Sequence, residues 1–390
     1  MKVVKLRDIL KPMISKDARK LNCPQFRYID VDSVEANHTN IVNPKRLKVT
    51  EAPSRAKREV RNGDVIISLV RAYQRKIALI SEDLKDCVAS TAFYVCRPTE
   101  TLHSRYLFYY LGSTLATNYL ECKTQGDNSP SVKNNDFLDL EIPLPPIEEQ
   151  ERIAIVLDKA QELIEKRKEA VTKLDRLIQA VFLDMFGDPV TNPKKWNEVK
   201  VIDVCDCIVP GRDKPKKFEG NIPWITIKDL VVGGNTNISR EDMGLTKEDI
   251  DAVKGKIIPK GSVLMSCVGD LGITSVAGTE MIINQQLHSF QCREKINNDF
   301  LCYLLPFKKG YMESVSNSTT VLYMNKEKCN SIPIYLPPIH VQEKFAQTIK
   351  FINSQKEIMK TSMGKLEGNF NSLLHQAFKD ELKVNTEITT

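Results

Sequence analysis

The stretch Pro145-Pro146-Ile147-Glu148-Glu149-Gln150-Glu151-Arg152-Ile153-Ala154 decides the fold of this chain, because it occurs twice. The second copy is Pro337-Pro338-Ile339-His340-Val341-Gln342-Glu343-Lys344-Phe345-Ala346. Prolines cannot continue the hydrogen-bond ladder of a strand, but they fit the start of a helix, where a missing N–H group costs nothing. We therefore predict that a long helix begins at each copy.

Apolar residues follow each proline pair at alternating steps of four and three. The first copy has Ile153, Leu157, Ala160, Ile164, Arg167, Val171, Leu174, Ile178, Val181 and Met185 at these positions, and the second has Phe345, Ile349, Ile352, Lys356, Met359, Met363, Leu366, Phe370, Leu373 and Ala377. Nine of ten are apolar in each copy. A 3.5-residue period kept over about five heptads is typical of a helix that supercoils with a partner. Two separate surface helices are the alternative.

The repeat also covers the sequence before each helix. Asn62-Gly63-Asp64-Val65-Ile66-Ile67-Ser68 resembles Lys260-Gly261-Ser262-Val263-Leu264-Met265-Ser266. A duplicated unit of this size determines the architecture. We predict a first globular domain at 1–144, a long helix at 145–187, a second globular domain at 188–336, a second long helix at 337–380 and a disordered tail at 381–390.

This order of motifs resembles the specificity (S) subunit of type I restriction-modification systems over nearly the whole chain. The resemblance rests on Leu144-Pro145-Pro146-Ile147-x-x-Gln150, on the junction Gly187-Asp188-Pro189-Val190-Thr191-Asn192-Pro193, on the Gly63–Ser68 strand and on their second copies. Each motif alone is weak, whereas their order and duplication are specific.

The resemblance implies a non-catalytic subunit that reads DNA sequence for a methylation and restriction complex. Each globular domain would be a target-recognition domain that reads one half of a bipartite site in double-stranded DNA. The helices would set the spacing and dock two methyltransferase (M) subunits, and restriction (R) subunits would join the complex. No cofactor is expected in this chain, since S-adenosylmethionine and ATP would belong to the partner subunits.

The predicted fold class is α/β (α+β), with two similar domains separated by two antiparallel coiled-coil helices in an internal pseudo-two-fold repeat. The second domain is inserted between the two helices, and compact domains usually keep their termini close. The helices should therefore run antiparallel. Repeat symmetry then places Ile153 opposite Ala377, Ala160 opposite Phe370 and Ile164 opposite Leu366.

Composition indicates where in the cell the protein is expected, but it indicates little about its function. The net charge of +6 permits nucleic-acid binding without arguing for it, so local clusters must carry that interpretation. Ten scattered cysteines without a secretory signal are typical of reduced thiols in a cytoplasmic protein. No apolar run approaches membrane-spanning length, so no membrane partner is expected.

Candidate DNA-binding residues in the first domain are Arg and Lys, which neutralise phosphates, together with Gln, Asn and Tyr, which contact base edges. They are Arg55, Lys57, Arg58, Arg71, Tyr73, Gln74, Arg75, Lys76, Gln125 and Asn128. Solvated charged loops are the alternative explanation, and the aromatic stripe at Tyr106, Tyr109 and Tyr110 is interpreted as core.

The second domain follows the same plan with different loops. Its candidates are Arg212, Lys214, Lys216, Lys217, Asn317, Thr319, Tyr323 and Asn325. Val268-Gly269-Asp270-Leu271-Gly272 stands where the first domain has Arg71–Lys76. Glycines permit close approach of the backbone to DNA, although a tight hairpin explains them as well.

We find no catalytic set in the sequence. The phosphate-loop pattern Gly-x-x-x-x-Gly-Lys-Ser/Thr is missing, and so is the Asn/Asp-Pro-Pro-aromatic signature of adenine methyltransferases. Two alternatives to a DNA-reading subunit stay open. One is a standalone metal-dependent nuclease with repeated DNA-binding modules, and the other is a coiled-coil scaffold without DNA binding.

Overall fold

The computed structural model describes residues 2–36, 42–84, 86–128, 130–211, 213–317 and 321–379. The chain divides into two compact units. Unit 1 consists of residues 1–168 together with the end of the chain from Thr361, and unit 2 consists of Glu169–Lys360. Each unit therefore contains a globular part and a segment of both long helices. The predicted tail at 381–390 lies outside the described residues.

Unit 1 combines short strands with short helices ahead of the first long helix. Its strands are β1 Val3–Lys5, β2 Leu10–Lys11, β3 Gln25–Ile29, β4 Lys45–Lys48, β5 Ala56–Glu59, β6 Val65–Ser68, β7 Ile77–Leu79, β8 Val88–Ser90, β9 Phe93–Pro98 and β10 Glu141–Pro143. Its helices are α1 Leu6–Ile9, α2 Ser104–Gly112, α3 Thr114–Cys122, α4 Asn134–Leu138 and the start of α5 Ile147–Phe186.

Two four-stranded sheets and one two-stranded ribbon form the β part of unit 1. The sheet orders are β2-β9-β6-β7 and β4-β3-β8-β5, and β1 pairs with β10. Most pairs are antiparallel, whereas β3 and β8 run parallel. The main core lies between the β2-β9-β6-β7 sheet, α2, α3 and the long helices, with Tyr106, Tyr109 and Tyr110 buried in it. The interpretation of this aromatic stripe as core is confirmed.

The segment that contains the aromatic stripe forms two consecutive helices, α2 and α3. The helix breaks at Ser113, whose backbone is extended with ψ 158°. Its hydroxyl accepts from the N–H of Ala116 and caps α3. Serine favours such a cap because its side chain satisfies an N–H that has no partner within the helix.

Unit 2 repeats the plan of unit 1. Its strands are β11 Glu198–Lys200, β12 Cys205–Ile208, β13 Ile222–Ile225, β14 Asn235–Thr236, β15 Gly244–Leu245, β16 Val263–Ser266, β17 Thr274–Ala277, β18 Ile282–Ile283, β19 Leu287–Cys292 and β20 Pro333–Tyr335. Its helices are α6 Val201–Val204, α7 Lys247–Ala252, α8 Asn298–Leu304, α9 Lys309–Val315, α10 Lys326–Asn330 and the start of α11 Ile339–Phe378. The sheets are β12-β19-β16-β17-β14, β15-β13-β18 and β11-β20.

The central strand pairs have the same register in the two units. In unit 1, β6 pairs antiparallel with β9 so that Ile67 lies opposite Tyr94. In unit 2, β16 pairs antiparallel with β19 so that Met265 lies opposite His288. The sequence repeat of Gly63–Ser68 is therefore also a structural repeat.

The glutamine of each Pro-Pro-Ile-x-x-Gln motif is a buried latch between the helix start and the globular part. Gln150 accepts from the N–H of His103 at 2.9 Å, and its amide donates to the carbonyls of Thr101 and Pro145 at 2.9 Å each. Since Gln150 is fully buried, these bonds replace water that is excluded.

Gln342 repeats the arrangement in unit 2. It accepts from the N–H of Asn297 at 2.9 Å and donates to the carbonyls of Lys295 at 3.2 Å and Pro337 at 2.7 Å. Loss of either glutamine would leave buried backbone groups without partners, which explains why the motif contains this residue.

The long helices pack antiparallel within each unit, as predicted. In unit 1, the start of α5 shares one core with the end of α11, including Ile153, Ile164, Phe370 and Ala377. In unit 2, the rings of Phe182 and Phe186 lie 5.3 and 5.4 Å from that of Phe345.

Among the charged positions of the seam, Lys356 is mostly buried and forms an ion pair with Asp175 of α5. Burial of its alkyl chain against the seam keeps the apolar period intact, and the carboxylate compensates the charge.

Candidate nucleic-acid interface

Two loops meet at the end of strand β6 in unit 1. The arginine loop, residues 69–76, follows β6, and the polar loop, residues 124–132, precedes α4. The N–H of Arg71 donates to the carbonyl of Pro130 at 2.7 Å, and the N–H of Val132 donates to the carbonyl of Leu69 at 2.9 Å. Gln125 and Ser131 exchange two backbone bonds of 2.9 Å and close the polar loop.

Unit 2 builds the same pair of loops with the same backbone bonds. The glycine loop, residues 267–272, follows β16. The N–H of Gly269 donates to the carbonyl of Leu322 at 2.8 Å, and that of Met324 donates to the carbonyl of Cys267 at 2.9 Å. Asn317 and Tyr323 exchange the bonds that close the second polar loop. The predicted correspondence between the arginine loop and the glycine loop is confirmed, and the two polar loops correspond as well.

Both loops turn through left-handed backbone positions, but the residues at those positions differ. Gly269 and Gly272 have φ of 75° and 80°, whereas Arg71 and Arg75 have φ of 54° and 48°. A residue with a Cβ loses roughly 1–2 kcal/mol in this conformation, and glycine does not. Unit 1 thus has two arginines in left-handed conformations where unit 2 has glycines, which adopt them without strain. Backbone strain of this kind is typical of functional loops.

A cleft beside the arginine loop gathers several predicted residues. It has a volume of about 640 Å³ and is lined by Arg55, Arg71, Tyr73, Gln74 and Lys76, among others. Tyr73 is 54% exposed. Two guanidinium groups, a carboxamide and an accessible ring in one concave surface are the groups that contact phosphates and base edges.

Arg75 and Lys76 of the arginine loop are placed differently from the residues above. Arg75 lines a separate pocket with Gln161, Lys168 and Glu367 of the long helices. Lys76 lines the cleft, but its ammonium donates to the carbonyl of Val31 at 2.7 Å and has a structural partner.

Two further residues of the first basic segment lie on strand β5 rather than in a loop. Lys57 and Arg58 are half-buried, and the Nε of Arg58 is enclosed without a hydrogen-bond partner among the described residues. Gln125 and Asn128 are exposed on the polar loop, as an interface requires.

The basic segment of unit 2, which comprises residues 211 and 213–217 of the described chain, leads into a second cleft. Lys214 lines it with Lys228, Asn284, Gln285 and Gln286 in a volume of about 430 Å³. Lys216 and Lys217 are exposed beyond it. The predicted residues Arg212 and Thr319 lie outside the described residues.

The second polar loop keeps two of its predicted residues accessible and uses a third for structure. Tyr323 is 44% exposed, and Asn317 is exposed with its carboxamide oxygen accepting from the ammonium of Lys328. Asn325 is the N-cap of α10, and its side chain accepts from the N–H of Lys328 at 2.9 Å. Its oxygen therefore has a structural role at the helix start, and its DNA contact stays a prediction.

The turn Asn284-Gln285-Gln286, between β18 and β19, was missed by the sequence interpretation. Three consecutive carboxamides between two β-rich runs were the available signal. The N–H of Cys267 donates to the carbonyl of Gln286 at 2.8 Å, so the turn lies beside the glycine loop. The matching bond in unit 1 joins the N–H of Leu69 to the carbonyl of Ala92 at 3.1 Å.

Among the described residues, no group of three or more His, Cys, Asp or Glu side chains is arranged to hold a metal ion. No described helix is long and apolar enough to cross a membrane.

Comparison with known families decides the identity. The model of the type I restriction modification DNA specificity domain matches residues 1–173 and again residues 193–368. The chain belongs to this family. It is a specificity subunit, which is the non-catalytic DNA-recognition component of a type I system, so DNA and the methyltransferase and restriction subunits are its partners.

Individual relatives resemble this specificity subunit over most of their length. The putative MjaX specificity subunit of Methanocaldococcus jannaschii is 21% identical, with 98% of this chain and 94% of the relative covered. The HindI specificity subunit of Haemophilus influenzae is 22% identical, with 80% and 85% covered. The nuclease alternative finds no support in these relatives.

Solved structures share the fold of this specificity subunit. A chain from a study of complex assembly and conformational transition of the type I R-M system has a TM-score of 0.64 at 26% identity, with 98% of both chains covered. The S subunit from M. genitalium has a TM-score of 0.54 at 12% identity, with 98% of this chain and 96% of that chain covered, which is a likeness of fold alone.

Proposed function

We propose that each unit of this specificity subunit reads one half of a bipartite DNA site. The observation that carries this proposal is the repeated pair of loops, held by matching backbone hydrogen bonds but bearing different side chains. Arg71, Tyr73 and Gln74 face the cleft of unit 1, whereas the equivalent loop of unit 2 is glycine-rich. Two readers on one frame can recognise two different sequences independently.

The proposal is tested by exchanging residues 190–336 with the matching segment of a relative of known specificity. The hybrid is assembled with its methyltransferase subunit, and the methylated sites are mapped by sequencing. Independent reading predicts that one half-site changes while the other half-site and the spacer stay the same. A hybrid that alters both halves would contradict the proposal. The control is an exchange of exposed residues on the long helices, which should change neither half-site.

We further propose that the long helices dock two methyltransferase subunits. Phe351 and Ile358 lie two turns apart on α11 and are 66% and 62% exposed. Large apolar side chains that repeat on one helix face without cover support a protein interface. Leu177 of α5 is also 45% exposed.

Charge insertion at this face tests the docking. Phe351→Lys and Ile358→Lys should each reduce co-purification of the methyltransferase subunit, whereas Lys360→Ala, on the opposite side of α11, should leave it unchanged. Full retention of the partner by the double variant would refute the assignment. Two bound methyltransferase subunits per chain should be counted by the mass of the wild-type complex.

The cofactors are expected on the partner subunits, because this chain is the DNA-recognition component. We infer that S-adenosylmethionine and ATP bind the methyltransferase and restriction subunits, and that the complex acts in the cytoplasm, where its DNA is. Equilibrium dialysis of the purified chain against S-adenosylmethionine and against ATP should give no binding. Retention of either cofactor would contradict this inference.

A further inference from the structure

The turn Asn284-Gln285-Gln286 of unit 2 has the chemistry that its counterpart in unit 1 lacks. The counterpart is Ser90-Thr91-Ala92, because the same backbone bond joins each turn to the loop after the central strand. In unit 1 the carboxamide and guanidinium groups stand on the arginine loop. In unit 2 the loop carries glycines, and the carboxamides stand on the neighbouring turn.

The side chain of Gln286 is oriented before any ligand binds. The N–H of Gln286 donates to Oδ1 of Asn284 at 3.1 Å, and Nδ2 of Asn284 donates to Oε1 of Gln286 at 3.1 Å. The backbone of Asn284 is itself anchored, since its N–H donates to the carbonyl of Ile225 at 2.9 Å. Ordering a side chain in advance reduces the conformational entropy lost on binding.

Gln286 keeps the groups that adenine requires. It is exposed, and its Oε1 has a second lone pair while its Nε2 has two donors. Adenine presents an N6 donor and an N7 acceptor in the major groove, and a glutamine carboxamide matches the two. Gln285 differs, because its Nε2 donates to the carbonyl of Gly211 at 3.4 Å and joins the turn to the basic segment.

The charges around the turn favour a base contact over a phosphate clamp. Lys214 and Lys228 line the cleft, but Asp213 and Glu241 line it too. Two carboxylates offset two ammonium groups, so the cleft does not attract phosphate as strongly as the cleft of unit 1.

We infer that Gln286 is an adenine-reading side chain of unit 2 and that Asn284 is its positioning residue. This inference rests on the proposed function and names the residue and base class that carry it in one half-site. The two units then recognise DNA from different elements of the same frame: unit 1 from the loop after β6, and unit 2 from the turn before β19.

The test uses the full chain assembled with its methyltransferase subunit. Bound duplexes are selected from a random library by the wild-type complex and by Gln286→Ala. The variant should lose its preference for one A·T pair in one half-site, by about 5- to 100-fold, and leave the other half-site unchanged. Thr91→Ala, in the matching turn of unit 1, is the control and should alter neither half.

Three further measurements separate base reading from other roles. Gln286→Glu should shift the preference at that position toward C·G, because a carboxylate accepts from cytosine N4. Asn284→Asp keeps the acceptor for the N–H of Gln286 but removes the donor to Oε1, so a smaller loss at the same base pair is expected. Replacing that adenine by 7-deazaadenine should weaken wild-type binding and leave Gln286→Ala unaffected.

Two outcomes would overturn the inference. One is an unchanged motif for Gln286→Ala, and the other is a uniform loss of affinity across all sequences with a shallower salt dependence, which indicates a phosphate contact. If the wild-type complex selects no bipartite motif at all, the proposed function itself fails. If wild type selects a motif and Gln286→Ala selects the same one, only the inference about Gln286 fails.

Discussion

Units 1 and 2 have matching backbones around their reading surfaces and different side chains on them. The N–H of Arg71 and that of Gly269 make the equivalent bond to the neighbouring polar loop, yet one residue carries a guanidinium and the other carries no side chain. The cores differ as well, since Tyr94 and His288 stand at the same register position. Backbone bonding therefore preserves the frame while side chains diverge, even at buried positions.

The largest expected effect comes from a buried ion pair that unit 2 does not have. Asp64 accepts from Nε and Nη2 of Arg97 at 2.9 and 2.8 Å and is almost fully buried, whereas its counterpart in unit 2 is Ser262. Asp64→Ser should destabilise unit 1 by about 3–5 kcal/mol, because it removes both hydrogen bonds to the Arg97 guanidinium and leaves it the longer contact of 3.8 Å with Glu59. Hydrogen exchange should increase in unit 1 only, and loss of protection in neither unit would show that the pair is dispensable.

Loss of either glutamine latch should destabilise its own unit by the same amount. Gln150→Ala and Gln342→Ala each remove three bonds to buried backbone groups and should each cost about 3 kcal/mol, felt in unit 1 and unit 2 respectively. Hydrogen exchange at the first turns of α5 and α11 measures this. Gln161→Ala, on the same helix as Gln150, is the control. A latch whose loss affects only one unit would break the structural equivalence.

Acid should weaken unit 2 more than unit 1. Burial lowers the pKa of His288 to about 4, although its ring nitrogen lies 3.1 Å from Oδ1 of Asn330, and Lys326 lowers it further. The unfolded chain binds the proton at higher pH, so stability is present above pH 6.5 and is lost as the pH falls toward 4. The loss at pH 5.5 is on the order of 1 kcal/mol.

Burial raises the pKa of Tyr94, the counterpart of His288, to about 12, so Tyr94 does not titrate in acid. Hydrogen exchange at pH 7.5 and 5.5 should locate the added opening in unit 2. His288→Gln should remove the difference between the two pH values that wild type shows. Cys207, 3.3 Å from the ring, stays protonated throughout this range, because burial raises its pKa. Unchanged hydrogen exchange in unit 2 between the two pH values would contradict this role of His288.

The smallest expected effect separates stability from recognition in the strained loop. Arg71→Gly should stabilise unit 1 by up to about 1 kcal/mol, because glycine adopts φ of 54° without strain. The same change should weaken DNA binding by the assembled complex and lower its salt dependence.

The reciprocal change in unit 2 is Gly269→Ala. Its Cβ would meet nothing within 4 Å, so the expected cost of about 1 kcal/mol is backbone strain alone. Thermal denaturation and salt titrations of DNA binding measure both variants. Unchanged affinity for Arg71→Gly at two salt concentrations would mean that the loop is solvated rather than engaged with DNA.

Sequence alone determined the duplicated plan and the two long helices. The helices run Ile147–Phe186 and Ile339–Phe378, where the proline pairs and the 3.5-residue period predicted them. Their antiparallel pairing also followed from sequence, since an inserted compact domain constrains the helix ends that flank it. These features were readable because periodicity and helix-start residues act locally and repeat over many positions.

Only the tertiary structure decided which side chains face each cleft. Arg75 is close to Arg71 in sequence but lines another pocket, because both residues adopt left-handed conformations that turn the chain. Asn325, predicted as a DNA contact, also caps a helix, and Gln286, which the sequence did not single out, lies beside the glycine loop through one bond to Cys267. Side-chain direction depends on local φ and on hydrogen bonds between residues far apart in sequence, and neither quantity leaves a periodic signal in the sequence.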